Sequence, residues 1–143
     1  MANHGLVIGA DDCKKAEKLL YEIETLLSHD SLNISPKPDI KKLIKLSEGI
    51  PYKPAISDEI HAIATDINKL KVASQGIFYP DHVVFLGAEL CVVNFGHQVA
   101  PSVENYYKKY NTMPIAIYIE DAGVLVSNDI MLASEVMLLA LSY

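Results

Sequence analysis

One pattern constrains this chain more than any other. An apolar run led by glycine, then a turn, then an acid-capped amphipathic helix occurs near its start and again near its end. Gly5-Leu6-Val7-Ile8 is followed by Asp11, Ala16-Glu17 and Leu19-Leu20. Gly123-Val124-Leu125-Val126, which begins 118 residues later, is followed by Asp129, Ser134-Glu135 and Met137-Leu138. Each copy reads as a buried strand feeding a helix, so alternating strands and helices are expected. The residue before the glycine is His4 in the first copy and Ala122 in the second. If the two descend from one unit, the second has lost its functional side chain. A coincidental likeness of two strand-helix units stays open beside that reading.

Between these copies the periodicity gives further elements. The first helix carries Ala16, Leu19, Leu20, Ile23 and Leu26 on one face and is expected to end near His29. Residues 31–38 are polar with two prolines and read as a linker. Asp39 to Leu46 suits a short helix, and Pro51 and Pro54 bound a loop. Ser57 is placed to cap a helix with Ile60, Ile63 and Ala64 inward, and Ile67 to Ser74 suits another. His82–Leu86 and Leu90–Val93 are rich in β-branched and apolar residues, with Gly87-Ala88-Glu89 between them, and predict a hairpin. Ser102 is expected to cap a helix to about Tyr110. Strands are predicted at Pro114–Ile119 and Val124–Val126, then a helix capped by Asp129.

Composition narrows the function classes. With 50% hydrophobic and 21% charged residues the chain has a globular balance. Its 143 residues suffice for a domain that buries about two-thirds of its unfolded surface. Twelve basic and 18 acidic side chains leave a net charge of −6. No basic patch interleaved with aromatics favours nucleic acid. No apolar run approaches the length of a membrane span, and no signal-peptide pattern opens the chain, so a cytoplasmic setting with no membrane partner is expected. Cys13 and Cys91 form no Cys-x-x-Cys pair and read as buried reduced thiols.

His4 is the candidate site residue. It stands before a glycine at the lip of an expected strand, where an imidazole can reach a metal. One imidazole is no zinc site, since zinc takes three or four protein ligands. His82 is expected to cap or pack at a strand start, and His97 to be solvated in a loop. His29 and His61 are expected to be half-exposed on helices. Tyr106, Tyr107 and Tyr110 have the spacing of a core or interface.

Asn3-His4-Gly5-Leu6-Val7-Ile8-Gly9 with the Ala16-Glu17-x-Leu19-Leu20 helix resembles a segment of class II aldolases, adducin heads and related sugar-phosphate epimerases. Tyr79-Pro80-Asp81-His82-Val83-Val84-Phe85-Leu86-Gly87 and Gly123–Val126 resemble the C-terminal region of longer members. The likeness spans residues 1–30 and 75–143. It implies a three-layer α/β/α sandwich with a mixed or largely antiparallel sheet. Residues 1–30 would end an aldolase-like unit, 31–74 would be a helical linker region, and 75–143 a C-terminal α/β region, a degenerate repeat of the first unit. It also implies that His4 is the third ligand of a Zn2+ ion whose other two ligands come from a His-x-His element, with a separate glutamate as acid/base. Only three residues precede His4, and neither element is among them. The resemblance therefore implies the C-terminal portion of a zinc-dependent aldolase or epimerase acting on sugar phosphates. Such a chain is expected to be inactive alone and to partner a homo-oligomer or a separate N-terminal half. The alternative is a non-catalytic, adducin-head-like module for oligomerisation or interaction.

Overall fold

The computed structural model describes residues 6–28 and 36–143. The chain divides into two units, residues 1–34 and 35–143, and each is taken by itself.

In the first unit, Leu6–Ile8 carries no regular secondary structure, and Leu6 and Val7 are exposed. The strand predicted at Gly5–Ile8 is not formed over these three residues, so the strand half of the 118-residue repeat is not reproduced. A strand needs a neighbour to satisfy its backbone, and apolar composition alone does not supply one. The helix half is formed. Helix α1 spans Cys13–Leu27 and is capped by Asp12, whose side chain accepts from the Lys15 N–H at 2.8 Å. Cys13, expected to be buried, is exposed because it sits on the first turn of this helix.

The second unit is mixed α/β. Its helices are α2 (Ile40–Ser47), α3 (Asp58–Thr65), α4 (Ile67–Ala73), α5 (Pro80–Leu86), α6 (Val99–Tyr110) and α7 (Leu132–Ser142). Its strands are β1 (Tyr52–Pro54), β2 (Cys91–Val93), β3 (Ala116–Ile119) and β4 (Gly123–Ser127). The strands form one sheet in the order β1-β4-β3-β2. β1 and β3 run antiparallel to β4, while β2 runs parallel to β3, with α6 as the crossover.

Several expectations are corrected here. His82–Leu86 is helix α5, not a strand. Pro80 fixes the first turn and Asp81 favours the helix N-terminus. Gly87 ends the helix at φ 96°, so the capping signals outweigh the β-branched Val83 and Val84. With that strand gone there is no hairpin, and β2 pairs with β3, a distant partner. The loop expected around Pro51 and Pro54 contains β1, an outermost strand, where a proline costs no ladder bond. The last two helices start off their expected caps. α6 begins at Val99, four residues ahead of the expected Val103, with Pro101 in its first turn, and α7 begins at Leu132 rather than beside Asp129. Asp39 does cap α2, accepting from the Lys42 N–H at 3.0 Å, while its own N–H donates to the Ala122 carbonyl at 2.9 Å.

Alternation along the strands feeds two hydrophobic clusters. Ala116, Tyr118, Val124 and Val126 join Ile60, Ile63, Leu70, Leu86 and Leu138 from α3, α4, α5 and α7. Ile117, Ile119 and Leu125 join Leu43, Val99 and Tyr106 from α2 and α6. Successive residues of β3 thus enter different clusters, as the two-residue period of a strand requires.

Candidate functional site

His4 and His29 lie outside the described residues. The remaining histidines separate by environment. His97 is exposed in a loop, as expected, its backbone N–H donating to the Asn94 carbonyl at 3.0 Å. His61, expected to be half-exposed, is 1% exposed. Its neighbours explain this: Ile60, Ala62, Ile63, Ala64 and Thr65 are all buried too, so α3 is covered on every side. That signal was present in the sequence as an apolar run around the histidine.

His61 has both ring nitrogens occupied. The Val124 N–H donates to Nδ1 at 3.0 Å, which makes Nδ1 the acceptor and places the proton on Nε2. Nε2 lies 3.0 Å from the Ala55 carbonyl and donates to it. The neutral ring thereby links the end of β1 to the start of β4. Burial pushes its pKa down, opposed by the Ala55 hydrogen bond and by Asp58. Gly123 makes the approach possible. It sits at φ 131°, and a Cβ there would fall 2.6 Å from His61 Nδ1 and 3.0 Å from Leu43 Cδ1.

His82 is buried on α5, with the rings of Tyr79 and Phe78 about it at 5.9 and 6.0 Å between centroids. Its packing role is the one expected, though on a helix rather than a strand. Its Nδ1 has no hydrogen-bond partner, and burial lowers its pKa. Tyr79 donates to the Met137 sulfur at 3.1 Å, fastening this end of α5 to α7. The other end closes on Tyr106. A Cβ on Gly87 would lie 2.5 Å from the Tyr106 hydroxyl. Tyr106 is buried and packs on Tyr110 with centroids 4.8 Å apart, whereas Tyr107 faces solvent.

Two clefts flank α6. One, of about 310 Å3, is apolar and lies between Pro51, Tyr52 and Met113 and the α6 residues Val99, Val103 and Tyr107. At its base the Tyr52 hydroxyl donates to the Pro114 carbonyl at 2.8 Å, and burial pushes its pKa up to about 12. The other, of about 280 Å3, is polar and lies between β2 and α6. Glu89 and Lys109 meet there at 2.7 Å, and the lysine holds the Glu89 carboxyl below its ordinary range. Cys91 is buried beneath it, its thiol pushed up to about 11 by burial and then by Glu89, so it is a packing thiol rather than a nucleophile.

Among the described residues no three His, Cys, Asp or Glu side chains converge on a point where a metal could sit. No family model matches the chain, and no curated protein or solved structure does either. Among the described residues, no helix is long and apolar enough to cross a membrane.

Proposed function

We propose that the chain is the C-terminal portion of a class II aldolase-like protein and that residues 36–143 serve it as scaffold rather than as the bearer of its chemistry. The observation that carries this reading is the use made of the residues that resemble the family. His82 and Gly87 of the Tyr79–Gly87 segment are spent on burying α5 and closing it against Tyr106. Gly123 of the Gly123–Val126 segment is spent on admitting His61. On this reading the two clusters fed by alternate strand residues are the two helical layers of a three-layer α/β/α sandwich, working in the cytoplasm.

His4 is then the one residue the chain offers to a zinc centre. A zinc ion there would polarise the carbonyl of a ketose phosphate and stabilise the enediolate left by carbon–carbon cleavage. No His-x-His occurs within these 143 residues, so the other two imidazoles and the acid/base glutamate would come from outside them. The same use of motif residues in packing favours a second reading, a non-catalytic module that assembles or docks as adducin heads do. Complementation separates the two. The chain is refolded with an N-terminal class II aldolase half bearing the His-x-His and the glutamate. The first reading expects zinc binding and ketose-phosphate cleavage, both abolished by His4→Ala. A stable complex that binds no zinc and cleaves nothing selects the second, and no complex at all contradicts both.

A further inference from the structure

Among the described residues the sheet has two outer strands, and they are not alike. β1 carries Lys53 and ends in Pro54, two features that discourage a further strand. β2 has neither. The Glu120 N–H donates to the Val93 carbonyl at 3.0 Å, so Val93 turns its peptide groups toward β3. In a parallel ladder alternate residues bond to alternate sides, which turns the N–H and C=O of Val92 outward. They open onto the polar groove between β2 and α6. Ser102, Asn105 and Lys109 form the helix wall, and Glu89, Leu90 and Val92 the strand wall.

We propose that this groove binds a polar extended peptide segment of another protein, which adds to the sheet as a fifth strand beside β2. A free main-chain donor and acceptor on one residue is the recognition element of a strand. Ser102, Asn105 and Lys109 follow one another at helical spacing along α6, and their hydroxyl, amide and ammonium groups match polar side chains alternating off the added strand. The Glu89–Lys109 pair is exposed, so exchanging it for a charge on the peptide costs little. A second copy of the chain fits less well. Antiparallel pairing of two β2 edges would bring both α6 helices to the same face over one seam. The site is independent of the zinc reading and stands whether or not His4 binds metal.

Hydrogen exchange on the full chain reads the edge directly. The Val92 amide is expected to exchange fast while those of Cys91 and Val93 are protected. Random linear heptapeptides displayed on phage are then selected on the folded chain, and the strongest is made as a soluble peptide. It is expected to slow exchange at Val92 and to bind about tenfold or more weaker to Val92→Pro and to Asn105→Arg. Proline at position 92 removes the outward N–H without breaking a ladder bond to β3, although it also replaces a side chain packed on the first cluster. Arginine at 105 fills the groove from an exposed helix position, so one variant serves if the other misfolds. The proposal is overturned if no heptapeptide is enriched, or if both variants bind the selected peptide as the parent does. Strong Val92 protection in the free chain also overturns it, and protection that fades on dilution would assign the edge to a second copy.

Discussion

Gly123 and His61 are the residues on which the most structure turns. The imidazole is a neutral connector between a strand end and a strand start, and its acceptor nitrogen faces the only residue type that leaves it room. Gly123→Ala would add both a Cβ 2.6 Å from Nδ1 and a strained φ. A loss of about 2 kcal/mol or more in denaturant unfolding is expected; a change within about 0.5 kcal/mol would show that the His61 link is slack. The same ring gives the fold a pH dependence. His61 and His82 both have pKa values lowered by burial, so the folded state takes up their protons less readily than the unfolded chain. Stability from this source is complete above the unfolded histidine value of about 6.5 and falls as the pH drops below it. Urea midpoints between pH 7.5 and 5 should decline, and His61→Gln should flatten part of that slope. A midpoint independent of pH over this window would contradict the neutral assignment. Little of this was legible in the residues alone. The apolar surroundings of His61 announced burial, but its hydrogen bonds reach residues six and 63 positions away, which no local pattern reports.

At the scale of elements, caps mark α1, α2 and α5 correctly and mislead at α6 and α7. α5 has strand-like residues and helix-like ends, and the ends prevail because Pro80 suits a first helical turn and Gly87 takes a positive φ that ends the helix. α1, α2, α3, α4, β3 and β4 fall close to their expected positions, each marked by a cap or an uninterrupted apolar run. β1 and the parallel pairing of β2 were not legible, since each depends on a partner far along the chain. The closure of α5 on α6 offers a double-mutant test. Gly87→Ala brings a Cβ against the Tyr106 hydroxyl and should destabilise by about 1–3 kcal/mol. In a Tyr106→Phe background the clash is gone and only the backbone strain remains, so the same substitution should cost measurably less. Equal costs in the two backgrounds would mean that the hydroxyl does not set this junction.

At the scale of the whole molecule, the described members of both hydrophobic clusters of the second unit come from residues 43–141. The fragment 36–143 is therefore expected to fold by itself, with a single cooperative unfolding transition by circular dichroism; a fragment with no transition would show that its core is incomplete. The family resemblance lies in short segments, and in this unit their residues have structural uses that account for them. The zinc reading rests on His4 alone. Zinc content of the purified chain, loaded with equimolar zinc and then dialysed against zinc-free buffer, puts that reading at risk in one step. Because a single imidazole binds zinc too weakly to retain it, the expected result is well under one equivalent per chain, for the parent and for His4→Ala alike. One tightly held equivalent that survives His4→Ala would contradict it, and the metal would then be sought around His82 and His97.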